Sequence, residues 1–109
     1  MPHKYNAVRT WRHGHWFASK AEARRYTELL LLEKAGEIRD IELQPTYRLM
    51  APTPDGALIS TATYIADFRY RDIPTEKTVV EDVKGVRTQV YKLKKRWIEA
   101  QYAIKIVEI

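Results

Sequence analysis

The alternation and recurrence of hydrophobic positions along this 109-residue chain predict a strand, a helix, three strands, a helix and a strand. Gly14 to Ala18 reads as a short strand, and Ser19-Lys20-Ala21-Glu22 has the form of a capping box that opens a helix. Ala23, Tyr26, Leu29, Leu30 and Leu32 follow, and Ala35-Gly36 is the stop. Leucine at every position from 29 to 32 predicts a helix buried over much of its circumference. Glu37 to Leu43 alternates imperfectly and reads as a connection with a short extended piece, broken by Gln44-Pro45. Tyr47 to Met50 is a strand and Pro52 to Gly56 a turn. Thr61 to Arg71 is the longest strand, with Ala62, Tyr64, Ala66, Phe68 and Tyr70 on an apolar face and Asp67 on a mixed one. Asp72 to Lys77 turns it into Thr78–Gly85, which predicts an antiparallel hairpin. Thr88 caps a helix running to about Tyr102, with Val90, Leu93, Trp97 and Ala100 as its core stripe. Residues 103–109 alternate as a final strand.

The length suits one small domain with a single core. Cysteine is absent, which excludes disulfides, Cys-based zinc sites and thiol catalysis and suits a reducing cytoplasm. No apolar run has the length of a membrane span, so no membrane partner and a cytoplasmic location are expected. A net charge of +5 favours polyanionic partners. Residues 1–13 read as a basic, aromatic arm or edge strand ahead of a domain over 14–109. Within and beside the arm, Arg9, Trp11, Arg12, His13, His15 and Trp16 mix cations with flat rings. That suits phosphate contacts and base stacking, and equally the covering of a core or a dimer seam. His13-Gly14-His15 has a spacing that could hold a metal, without a nearby carboxylate to join it. Lys20, Lys92 and Lys95 join Arg9 and Arg12 as cations expected to meet phosphates; solvated lysine is the plainer reading of them.

Thr78-Val79-Val80-Glu81-Asp82-Val83-Lys84-Gly85 carries the candidate chemistry. Alternation puts Val80, Asp82 and Lys84 on one side and Val79, Glu81 and Val83 on the other. Asp82 and Lys84 then sit roughly 6.6 Å apart along the strand, at ~3.3 Å per residue. A surface ion pair is the plain account of an isolated D-x-K. If the hairpin sets Asp67 opposite or diagonal to Asp82, the Cβ atoms come within about 5 Å. Two carboxylates so close repel unless a cation joins them or one takes up a proton. Oxygen ligands without Cys or a matched His suit Mg²⁺, with Mn²⁺ as a substitute. A lysine alongside can polarise the attacking water or the phosphate, the equipment for metal-dependent phosphodiester hydrolysis.

Asp67, Asp82-Val83-Lys84 and the helix Glu22, in that arrangement, resemble the PD-(D/E)xK nuclease superfamily. More closely, Phe17-Ala18-Ser19-Lys20-Ala21-Glu22, Ile65-Ala66-Asp67-Phe68 and Val80-Glu81-Asp82-Val83-Lys84-Gly85 resemble a family of small phage-encoded proteins catalogued as a domain of unknown function. The resemblance runs from Tyr5 to the C-terminal Val107-Glu108-Ile109. It implies a restriction-endonuclease-like α/β fold, an αβββαβ core with a mixed sheet flanked by two helices and the site at one end of that sheet. It assigns Asp67 and Asp82 as metal ligands, the Val83 carbonyl as a further ligand, Glu22 as an outer or second ligand, and Lys84 as the water-orienting or charge-stabilising residue. Ala66 stands where the superfamily's motif has proline. Glu22 is claimed by both the capping box and the metal, and a one-residue slip in register would exchange Asp82 for Glu81. The implied activity is a Mg²⁺-dependent, structure-selective endodeoxyribonuclease of phage DNA metabolism, with DNA as partner and a homodimer by analogy with relatives that cut branched DNA. A nucleic-acid-binding module without catalysis, or a nuclease-fold subunit of a larger phage complex, would share the same charge and arm.

Overall fold

The computed structural model describes residues 7–84 and 87–109. Two helices, α1 (Lys20–Lys34) and α2 (Gln89–Tyr102), accompany eight strands: β1 (Thr10–Arg12), β2 (His15–Phe17), β3 (Ile38–Leu43), β4 (Thr46–Pro52), β5 (Leu58–Ile65), β6 (Phe68–Asp72), β7 (Thr78–Asp82) and β8 (Ile106–Glu108). The central sheet has the order β3-β6-β7-β8. Its first two pairings are antiparallel and β7–β8 is parallel, so the sheet is mixed. β1–β2 and β4–β5 are separate antiparallel hairpins.

α1 covers one face of the central sheet, where Phe17, Ala23, Leu29, Ile38, Phe68 and Tyr70 form one core. α2 and the β4–β5 hairpin cover the other, where Tyr47, Leu49, Tyr64, Ala66, Val80, Ile98 and Ile106 form a second. Ser19 Oγ accepts from the Glu22 N–H at 3.1 Å, capping α1 as its sequence predicts. Thr88 Oγ1 caps α2 in the same way, accepting from the Tyr91 N–H at 3.1 Å. Gly36, at φ +79°, ends α1 in the left-handed conformation that glycine takes at little cost.

The structure corrects several local expectations. The single strand over Thr61 to Arg71 is two strands with a bend at Asp67. The Ala66 N–H donates to the Pro45 carbonyl on the hairpin side, and the Asp67 N–H to the Glu81 carbonyl at 3.1 Å on the sheet side. The chain thus changes partners within two residues. Its apolar face is divided accordingly: Tyr64 and Ala66 join the α2-side core, Phe68 and Tyr70 the α1-side core.

Residues 38–43, expected as a connection, form β3. The register shifts between Arg39 and Glu42 and Asp40 takes φ +57°, a bulge that accounts for the imperfect alternation. His13-Gly14 is the two-residue turn between β1 and β2, with φ of +52° and +79°, as a primed hairpin turn requires. The tip of the expected arm is therefore one strand of a hairpin whose other strand lies in the domain.

Both helices bury less than expected. Leu31 is exposed, so α1 turns a single stripe to the sheet. On α2, Val90 and Leu93 are 63% and 59% exposed and Ala100 is exposed; Trp97 is partly buried, and Ile98 is the fully buried residue. The inward face is Tyr91, Lys94, Lys95, Ile98 and, from the expected stripe, Trp97. It recurs at the same three- and four-residue steps as the expected one, so period alone does not choose between them. The choice is made by polar ends that snorkel. The Tyr91 hydroxyl meets Glu108 Oε2 at 2.9 Å, Lys94 Nζ donates to the Thr63 carbonyl at 3.1 Å, and Lys95 Nζ pairs with Glu99 at 3.5 Å.

Candidate active site

Register builds the site. Phe68 pairs with Glu81 across β6 and β7, and one step further sets Asp67 opposite Asp82. The two acids are tied by crossed hydrogen bonds to backbone. The Asp67 N–H donates to Asp82 Oδ1 at 3.0 Å, and the Val83 N–H donates to Asp67 Oδ2 at 2.6 Å. Asp82 is 0% exposed. Among the described residues its Oδ2 is buried without a hydrogen-bond partner, a costly state for a carboxylate oxygen. Lys84 Nζ stands 3.9 Å from Asp82 Oδ1 and 4.7 Å above the Tyr91 ring.

The charges of this cluster act on one another. Burial pushes the Asp82 carboxyl up to about 6, against the opposing pull of Lys84 and of the Asp67 N–H. Burial raises Asp67 too, while the Val83 N–H and Lys84 lower it. Glu22, in the first turn of α1, is raised to about 7 by burial and then by the charge of Asp67, with Asp82 adding to the same direction and Lys84 opposing it. Its backbone N–H serves the Ser19 cap, while its carboxylate feels the charges of Asp67, Lys84 and Asp82 at this end of the sheet. Of the capping box, the half in which Ser19 accepts from the Glu22 N–H is present.

Asp82 and Glu81 are separated cleanly. Glu81 points to the α1 side, where Arg25 grips it with two hydrogen bonds, Nε to Oε1 at 2.8 Å and Nη2 to Oε2 at 2.7 Å. The Tyr70 hydroxyl donates to Glu81 Oε2 as well. Asp82 is left facing Asp67 and Lys84. Arg25 and Tyr70 are residues that the sequence reading missed. Their only signal was an acid on the apolar α1 side of β7, which needed a cation from elsewhere in the chain.

The remaining expected site residues are dispersed. Val83 contributes its N–H to Asp67. Arg9, Arg12, Lys20 and Lys92 are exposed, and Arg9 lies 4.4 Å over the Trp16 ring. Lys95 turns inward, and its positive charge lowers the Asp82 carboxyl pKa. His13 and His15 pack edge-on against Tyr26, and His13 Nε2 meets Thr27 Oγ1 at 2.9 Å. Among the described residues, no three His, Asp or Glu side chains gather closely enough to hold a metal ion. The donor set nonetheless fits a hard cation bound by two carboxylates, with water and phosphate completing its shell. An orphaned, buried carboxylate oxygen opposite a second carboxylate is the feature that fits.

The model of the family described as "Protein of unknown function (DUF1064)" matches residues 2–107. The chain belongs to this family. No curated protein and no solved structure matches it. Among the described residues, no helix is long and apolar enough to cross a membrane.

Proposed function

We propose that this DUF1064 protein is a Mg²⁺-dependent endodeoxyribonuclease of restriction-endonuclease-like fold, structure-selective and serving phage DNA metabolism. The observation that carries the reading is the buried Asp82, with an unpartnered oxygen, held opposite Asp67 with Lys84 Nζ at 3.9 Å. Asp67 and Asp82 would hold a divalent cation, which would supply charge neutralisation at the phosphate and a lowered pKa for water; Glu22 would act from the α1 side. Lys84, lying over the Tyr91 ring, would orient the attacking water and balance charge as water adds to phosphorus and one P–O ester bond breaks. The leaving oxygen takes up a proton. Exposed Arg9, Arg12, Lys20 and Lys92 supply contacts to the DNA backbone.

A second reading, DNA binding without catalysis, draws on the absence of a three-ligand cluster among the described residues. A labelled panel (four-way junction, flap, nicked duplex, single strand) incubated with Mg²⁺, Mn²⁺ or EDTA separates the two. Metal-dependent cleavage abolished by Asp82→Ala and Lys84→Ala, with DNA binding retained, supports the nuclease. Binding of every substrate without cleavage under any of the three conditions supports the passive module. Undiminished cleavage by both variants refutes the site.

A further inference from the structure

Glu81 is 1% exposed, yet it lies one residue from Asp82 and is no part of the cluster around it. Its network has one member from each element that carries or borders an acid of the site. Arg25 lies one helical turn after Glu22 on α1. Tyr70 lies three residues after Asp67, on β6. Glu81 precedes Asp82 on β7. Arg25 and Tyr70 converge on the Glu81 carboxylate, and the Glu81 carbonyl accepts the Asp67 N–H at 3.1 Å.

We propose that Arg25, Tyr70 and Glu81 are positioning residues that lock α1, β6 and β7 together so that Asp67 and Asp82 face one divalent cation, with Glu22 on its outer side. The inference rests on the divalent-cation reading of those acids. A buried ion pair is poorly explained as a stabilising device, because apolar residues of similar volume often serve as well or better. Directionality is what it adds: a planar guanidinium forked onto a carboxylate fixes both the distance and the rotation of one element against another. Here it fixes the rotation of the α1 turn that carries Glu22. It also keeps Glu81 off the Asp82 face, and so prevents the one-residue slip that would exchange the two acids. Arg25 has one further charged neighbour, Glu28 at 3.7 Å, which is exposed and leaves the fork undisturbed.

The test is calorimetric titration of the full chain with Mn²⁺, alongside thermal unfolding in EDTA, for R25M/E81M, R25K and Y70F. The apolar pair replaces both charges at once. It is expected to unfold in EDTA within a few degrees of the unsubstituted chain yet to bind Mn²⁺ about 10–100-fold more weakly, the usual loss when the groups that orient metal ligands are removed. R25K keeps the charge without the fork and is expected to fall between the two. A folded R25M/E81M chain with Mn²⁺ affinity unchanged within about twofold overturns the proposal while leaving the metal site standing. If the double variant does not fold, Y70F decides: weakened Mn²⁺ binding with an intact fold supports the role, and unchanged affinity overturns it. If the unsubstituted chain binds no Mn²⁺, the cation reading and this inference fall together.

Discussion

Asp67 and Asp82 each accept a hydrogen bond from the backbone of the other's strand: the Asp67 N–H reaches Asp82 Oδ1 at 3.0 Å, and the Val83 N–H reaches Asp67 Oδ2 at 2.6 Å. These crossed bonds hold two acids face to face that would otherwise move apart. They leave Asp82 Oδ2 buried and, among the described residues, unpartnered, and that cost is the basis of the first prediction. Asp82→Asn removes the buried charge while keeping an oxygen for the Asp67 N–H. In EDTA at pH 8 it is expected to raise Tm, by about 4–8 °C for each kcal/mol of desolvation relieved, and to abolish the Tm increase produced by Mn²⁺. A fall in Tm without metal would show that the Asp82 charge is stabilised by its surroundings.

A pH dependence follows from the same burial. Glu22 rises from an ordinary value of 4.5 to about 7, and Asp82 from 3.8 to about 6. A carboxyl raised on folding binds its proton more tightly in the folded state, so its contribution is complete below the unfolded value and is lost as pH rises through the folded one. The metal-free chain is therefore expected to lose Tm between pH 3.8 and about 7 through these two groups, Asp82 over the lower part and Glu22 over the upper. Saturating Mn²⁺ should reverse the trend above pH 6, because cation binding requires the deprotonated forms. Differential scanning calorimetry across this range, with EDTA or Mn²⁺, checks both signs.

The orientation of α2 is open to direct measurement. Ile98 is fully buried, whereas Leu93 is mostly exposed. Ile98→Ala is expected to cost about 2–5 kcal/mol in urea unfolding, and Leu93→Ala to stay within about 0.5 kcal/mol. The reverse order would restore the helix face expected from Val90, Leu93, Trp97 and Ala100.

Trp11 and Trp16 pair across the β1–β2 hairpin with ring centroids 5.3 Å apart, and both are more than half exposed. Arg9 stacks on Trp16 at 4.4 Å. Under the DNA reading this hairpin is a stacking and phosphate-binding surface. Trp16→Ala is expected to leave Tm nearly unchanged and to weaken binding of single-stranded DNA by about 1–3 kcal/mol. Arg9→Ala should lower the salt-dependence slope by about one. Fluorescence anisotropy over a salt series measures both, and unaltered affinity in the two variants would remove the hairpin from the interface.

Much of the local structure was legible because it depends on near neighbours. The Ser19 and Thr88 caps, the Gly36 stop and the face assignments of Val79 through Lys84 rest on residues a few positions apart, and all of them hold in the structure. The bend at Asp67 was not legible. Ala66 and Asp67 continue the alternation without interruption, and only their separate partners, Pro45 and Glu81, divide the strand. The bulge in β3 had a local trace in its broken alternation, but that trace also suits a loop.

The chain by itself determined which side chains share a face of β7, because the two-residue repeat of a strand places Asp82 with Lys84 and away from Glu81 whatever surrounds it. Only the tertiary structure decided which of those acids is satisfied and which is left with an unpartnered oxygen. Arg25 comes from a distant point in the chain to neutralise Glu81 and the Tyr70 hydroxyl donates to it from the next strand, while Asp82 meets another carboxylate across the sheet. Periodicity sets direction along an element; partners across elements set charge, burial and the phase of a helix such as α2.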